Sequence, residues 1–154
     1  MVPARLLAWS PRLALGAAFF ESLVVHKDKS LSGRLLKLVR MQVSFFVACP
    51  FCTDMNSYEK ETYKITDREV ASLQGVEDLS EVESFSEKER LALEFCRRIS
   101  QTPLGIDDIF TARLKEEFDD REILVLTGTA SQVNYWARLI QTLGVPPAGF
   151  CTLP

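Results

Sequence analysis

Three times along this chain a short oxygen-bearing residue stands three positions ahead of a glutamate at the head of an apolar run: Thr66 with Glu69, Ser86 with Glu89, and Asp119 with Glu122. In that spacing the first side chain accepts from the N–H of the third helical residue, and the glutamate reaches back to the first residue's own N–H. Two orphan donors are satisfied reciprocally, which marks a helix start. Behind the second pair, Leu91, Ala92, Phe95, Cys96 and Ile99 form one apolar stripe that ends at the Pro103 and Gly105 break. Behind the third, residues 123–143 are apolar almost all round and carry small residues at Gly128, Ala130 and Ser131. Such a helix belongs at the centre of a bundle or at a subunit interface.

The rest of the chain has the same period. In residues 31–47 apolar side chains dominate, while Arg34, Lys37, Arg40 or Met41, and Ser44 fall three or four apart as one narrow polar stripe. Leu13, Ala17, Phe20 and Val24 recur at helical spacing, so the apolar run after Arg5 and Arg12 reads as an amphipathic first helix rather than a secretion signal; Glu21 interrupts it too early. A short helix runs from Thr66 to about Leu73 and stops at Gly75, and residues 106–118 form another. Glu77, Asp78, Glu81 and Glu83 have no basic neighbour, so residues 77–85 read as an acidic solvated loop. The only stretches with β character, 43–48 and 123–126, lie inside longer helical patterns. The expectation is an all-α bundle of about six to seven helices in one domain, residues 1–154, with an irregular tail over 146–154 around Pro146, Pro147 and Gly149.

Charge and composition remove several functions. Residues 1–50 carry a local +5 and the remainder −8, but the basic side chains are spaced singly and lack interleaved aromatics, which argues against nucleic acid. No apolar stretch reaches the roughly 20 residues of a membrane span. Four cysteines without a regular framework fit a reducing compartment, and the expected location is cytoplasmic.

Two of those cysteines carry the chemistry. In Cys49-Pro50-Phe51-Cys52, a helix that begins with Cys49 at the N-cap places Pro50 at the first helical position, where a missing N–H costs nothing, and Cys52 one turn on. Two thiols so spaced are within disulfide range, and the positive end of the helix dipole favours a thiolate. The helix is expected to run to about Tyr63.

The order of elements, a polar-striped helix, Cys-x-x-Cys opening the next, an acidic loop, Ser86-Glu87-Lys88-Glu89-Arg90-Leu91-Ala92-Leu93, and a buried helix holding Asn134-Tyr135-Trp136-Ala137-Arg138, resembles the alkyl hydroperoxidase D and carboxymuconolactone decarboxylase family over about residues 11–145. The resemblance implies an all-α fold assembled as a trimer or hexamer and a peroxide-reducing cysteine pair. It implies that Cys52 attacks a small peroxide, that Cys49 resolves the sulfenic acid as a disulfide, and that an external dithiol, such as a lipoyl or thioredoxin-like protein, restores both thiols. No cofactor or metal is implied. By the dipole alone Cys49 would be the better thiolate, since an N-cap sulfur receives the free N–H groups directly.

Two positions depart from the family pattern. The histidine four residues after the second cysteine is Asn56 here, and the glutamate twelve residues before the first is Lys37. Asn56 can hydrogen-bond but not exchange a proton, and Lys37 offers a positive charge in place of a base. General acid–base help contributes about 10² to 10⁴ in rate, so peroxidase activity is expected to be weakened. If Lys37 faces the sulfurs, its ammonium lowers a thiol pKa instead; otherwise it shares a solvated stripe with Arg34. Glu59 is an alternative proton acceptor or a helix-surface residue. The lone histidine, His26, beside Lys27-Asp28-Lys29, reads as a surface residue. Cys-Pro-Phe-Cys also resembles the glutaredoxin motif, but no strands follow residue 66, and Thr102-Pro103 is a weak candidate for a cis-proline loop. Zinc lacks a second ligand pair, since Cys96 lies on a core stripe and Cys151 in the tail. Asn134 and Arg138 are expected to be structural, with a buried arginine hydrogen-bonded. A redox sensor or oligomeric scaffold is the non-catalytic alternative.

Overall fold

The computed structural model describes residues 2–23 and 30–150. Eight α-helices lie among them: α1 Val2–Leu7, α2 Pro11–Leu23, α3 Gly33–Phe46, α4 Pro50–Ser57, α5 Asp67–Leu73, α6 Glu87–Ile99, α7 Asp108–Glu117 and α8 Asp120–Thr142. No strand occurs among the described residues, so the all-α reading holds and the glutaredoxin one falls. The helix beyond the expected number is α1, which is separate because Pro11 has no N–H to continue a helix and starts α2 instead. His26 and Cys151 lie outside the described residues.

All three capping boxes form, with both reciprocal bonds present at Thr66/Glu69, Ser86/Glu89 and Asp119/Glu122. Two of them are tied together. Arg34, in the first turn of α3, donates Nε to Glu89 Oε1 at 2.8 Å and Nη2 to Glu69 Oε1 at 2.5 Å, and Nη1 to the carbonyl of Lys64 at 2.8 Å. Glu69 is buried, yet Arg34, the Thr66 amide and the Ser84 hydroxyl all point at its carboxylate. Burial pushes its pKa up, but the Arg34 bond and the two other donors outweigh burial and hold it below the usual carboxylate range.

The helix α3 is the hub, packing against α8, α6 and α4. On one side Leu35, Val39 and Val43 meet Phe95, Phe110 and Leu126 of α6, α7 and α8; on the other Leu38 and Met41 meet Val70, Leu73 and Phe85. Each large side chain so buried contributes about 1.5–3 kcal/mol. Cys96 is a fully buried member of the first cluster, and burial pushes its thiol pKa well up. It behaves as a small hydrophobe.

The polar stripe of α3 does not run along solvent as its spacing suggests: Arg34 and Lys37 lie at the rim, whereas Arg40 and Ser44 are buried where α4 and α8 cover that end of the helix, and Met41 is buried against Val70 and Leu73 of α5. Residues 77–85 are not simply solvated either. Leu79, Val82 and Phe85 point into the core, Arg68 pairs with Glu77, and Arg90 donates to the carbonyls of Leu79 and Val82. These partners stand eight to eleven residues away along the chain, outside any local window. The helix from Cys49 also ends early. Tyr58 is extended, Glu59 is left-handed (φ 59°), and a single 3₁₀ turn over Lys60–Tyr63 follows, a break with no glycine or proline to announce it.

Candidate functional site

The site is set by three helix ends. The helix α3 closes with the amide of Cys49 bonded to the Ser44 carbonyl at 3.1 Å and that of Ala48 to Phe45 at 3.0 Å, which puts Ala48 in the left-handed region (φ 49°). Glycine usually fills this position, so an alanine there costs about 1–2 kcal/mol. The turn delivers Cys49 to the N-cap of α4, its Sγ accepting from the Cys52 amide at 3.2 Å and Pro50 following at the first helical position. Cys49 and Cys52 are joined as a disulfide with Cα atoms 5.2 Å apart. The third end is that of α8. Gly144 (φ 62°) lets the Val145 amide return to the Ile140 carbonyl, and Val145 packs over the cysteines with Phe51, Ala137 and Ile140. Beyond it the amides of Ala148 and Gly149 both donate to Asp54 Oδ2 at 2.8 Å, and the Phe150 ring lies 5.8 Å from that of Tyr58. Residues 148–150 are thus fastened to α4.

The two sulfurs have unequal surroundings. Cys49 is 0% exposed beneath this cover, whereas Cys52, 4% exposed, lines a cavity of about 210 Å³. Phe51, Met55 and Asn56 of α4 and Gln132, Val133, Trp136 and Ile140 of α8 make its walls; Glu21 of α2 and Arg40 of α3 supply its charges. Glu21 is half-buried, and its Oε2 accepts from Gln132 Nε2 at 2.7 Å and Trp136 Nε1 at 2.8 Å. Arg40 is 6% exposed. Burial lowers its pKa to about 10, opposed by the charges of Glu21 and Tyr63, so it is cationic at neutral pH.

Of the residues singled out in the sequence, Cys49, Cys52 and Asn56 come together. Asn56 lines the cavity and donates Nδ2 to Ser44 Oγ at 2.9 Å, and Ser44 donates in turn to the Arg40 carbonyl at 2.7 Å. Lys37 is not among the cavity lining: its Nζ donates to the Tyr58 carbonyl at 2.5 Å and sits 5.5 Å above the Tyr63 ring, so it serves the last turn of α4, the end opposite the sulfurs. Glu59 is exposed in its left-handed turn, outside that lining. Asn134 bonds Ser100 Oγ and the Ala130 carbonyl, a structural role, whereas Arg138 is exposed, not buried as expected. Among the described residues no three His, Cys, Asp or Glu side chains gather as a metal site, and no helix is long and apolar enough to cross a membrane.

Sequence reasoning missed Glu21, Arg40, Trp136 and Asp54 as parts of this neighbourhood. The signals were present for two of them: Glu21 is the charge that breaks an apolar run, and Arg40 continues a polar stripe into a helix that is otherwise apolar.

No family model matches the chain. The uncharacterized protein YnjA of Escherichia coli (strain K12) is 30% identical over 139 residues, spanning 89% of this chain and 74% of that protein. Among solved structures, ATU0492 from Agrobacterium tumefaciens, a protein of unknown function proposed as an antioxidant defence protein AhpD, is similar with a TM-score of 0.75 and 22% identity over 92% of this chain and 94% of that one. The debrominase Bmp8 in complex with 2,3,4-tribromopyrrole is similar with a TM-score of 0.78 and 15% identity over 94% of this chain and 75% of that one. The chain thus belongs to one family with YnjA, and its eight helices, with the cysteine pair at the head of α4, take the fold of the alkyl hydroperoxidase D-like solved structures.

Proposed function

We propose that this protein is a thiol–disulfide oxidoreductase that reduces small hydroperoxides at Cys52. The observation that carries the reading is the asymmetry of the pair: Cys52 lines the cavity and Cys49 is sealed behind it. In the reduced protein the Cys52 thiolate attacks the terminal peroxide oxygen, the O–O bond breaks, and the alkoxide takes a proton from solvent and leaves as an alcohol. The Cys49 thiol then attacks the Cys52 sulfenic acid, forming the disulfide and releasing water. An external dithiol, such as a lipoyl or thioredoxin-like protein, attacks Cys52 Sγ and expels Cys49 as a thiolate, which the Cys52 amide and the helix dipole stabilise. Its second thiol completes the exchange, so the dithiol supplies both electrons. Access thus favours Cys52 as nucleophile, and the N-cap stabilisation of Cys49 serves the reductive half as a better leaving group.

Asn56 stands where a histidine would move protons, so the chemical step lacks about 10² to 10⁴ in rate. The same absence favours a second reading, in which the disulfide forms stoichiometrically and acts as a redox sensor in an oligomeric scaffold. Assembly as a trimer or hexamer, and a cytoplasmic location, belong to the proposal. The test is titration of the reduced protein with cumene hydroperoxide, counting thiols, followed by turnover with excess dihydrolipoamide. Loss of two thiols per chain with continued consumption supports the enzyme; loss of two thiols and no turnover supports the sensor. Full retention of thiols refutes both.

A further inference from the structure

We propose that Arg40 is the cation that ionises Cys52, and that Glu21, hydrogen-bonded to Gln132 and Trp136, is the positioning residue that sets how strongly it does so. The inference rests on Cys52 being the reactive sulfur, and it assigns to α2 and α3 the electrostatic work that neither Asn56 nor Lys37 is placed to do.

The cavity at Cys52 is walled by apolar side chains, and its lining holds two formal charges, one of each sign. They are not equivalent. Arg40 is almost fully buried, so its field is little screened by water. Glu21 is half-buried, more open to water than Arg40, and its carboxylate accepts from Gln132 and Trp136, so its charge opposes that of Arg40 but is the better screened of the two. The charged side chains of Asp54, Lys37 and Arg138 lie outside that lining. Asp54, on the same helix, has its Oδ2 turned to the Ala148 and Gly149 amides; Lys37, on α3, is directed at Tyr58; Arg138, on α8, is exposed and outside the lining. The start of α4 adds a positive partial charge of its own. Within the lining, Arg40 is the cation that can favour a Cys52 thiolate. Burial among these apolar walls opposes ionisation of the Cys52 thiol, and the Arg40 charge with the start of α4 offsets it, so the thiol gives its proton to solvent at lower pH than it would without Arg40; the same cation shares the cavity with the alkoxide that forms when the O–O bond breaks.

The pair predicts shifts of opposite sign, which general loosening of the structure does not produce. In a Cys49→Ser background, the pH dependence of Cys52 alkylation by iodoacetamide, read by mass spectrometry of the Cys52 peptide, gives its thiol pKa without any peroxide. Arg40→Gln is expected to raise that pKa by about one unit or more, cutting the reaction rate at pH 7 about tenfold. Arg40→Lys, which keeps the charge, is expected to stay within about threefold of the parent. Glu21→Gln is expected to lower the pKa by about half a unit. Should Arg40→Gln fail to fold, Glu21→Gln at the rim still decides: an unchanged or raised pKa overturns the proposal, as does an unmoved profile in Arg40→Gln. A protein that shows these shifts but never consumes hydroperoxide refutes peroxide reduction and leaves the charge assignment standing. A peroxide-consuming protein without the shifts does the reverse.

Discussion

Removing the carboxylate of Asp54 should uncover Cys49. The tail after α8 is held by two charge-assisted hydrogen bonds, from the Ala148 and Gly149 amides to one oxygen of Asp54, each 2.8 Å long. Any opening that lifts Val145 off the cysteine pair and lets a reagent in from that side must break this clamp first. A hydrogen bond to a charged group contributes about 1.5–3 kcal/mol, so at the lower figure the two together add about 3 kcal/mol to the cost of opening. At 1.4 kcal/mol per factor of ten, Asp54→Ala should raise the open population roughly 100-fold. The assay is iodoacetamide labelling of Cys49 in the Cys52→Ser protein with and without Asp54→Ala, where the rate follows the open fraction because cover and reaction are sequential. Hydrogen exchange at Ala148 and Gly149 should accelerate alongside it. Equal labelling rates in the two proteins, with Asp54→Ala still folded, would refute the claim that the tail seals this sulfur. So would a Cys49 that reacts as fast as a free thiol while the clamp is intact.

Three further outcomes are expected. Asn56→His places an imidazole on the cavity wall beside Cys52 and should raise dithiol-dependent hydroperoxide turnover at least about tenfold, measured by loss of peroxide at pH 7. Arg34→Met leaves Glu69 buried without its cation and should cost about 3 kcal/mol, some 6–12 °C in Tm. Because the folded Glu69 pKa lies below its unfolded value, that stabilisation is full above the unfolded pKa and is lost as pH falls through the folded one. The gap in denaturant midpoint between Arg34→Met and the parent should therefore be widest near neutral pH and close on acidification. Ala48→Gly relieves a left-handed alanine and should stabilise the chain by about 0.5–1 kcal/mol after the entropy of glycine is counted, as chemical denaturation would read.

What was legible in the sequence was what local chemistry dictates. The capping boxes, the N-cap position of Cys49 with Pro50 behind it, and the stop at Gly75 all formed, because each depends on atoms within a few residues of one another. What was not legible depends on the third dimension. Spacing showed that Arg40 and Lys37 share a stripe of α3, but not that α4 and α8 bury one and leave the other at the rim. Glu21 reaches its partners across 111 and 115 residues of chain, and Asp54 reaches the tail across 94. The break after Ser57 rests on a left-handed Glu59 in a loop that Lys37 closes from another helix, so no local signal precedes it.

The guanidinium of Arg34 leaves a signature that evolution should be able to read. One side chain on α3 grips the capping carboxylates of both α5 and α6, so a change at any of the three positions disturbs two helix starts at once. Substitutions at Arg34, Glu69 and Glu89 should therefore drift as a trio, each tolerated only when its fellows change too. Through that one cation the head of α3 holds the starts of two neighbouring helices in register.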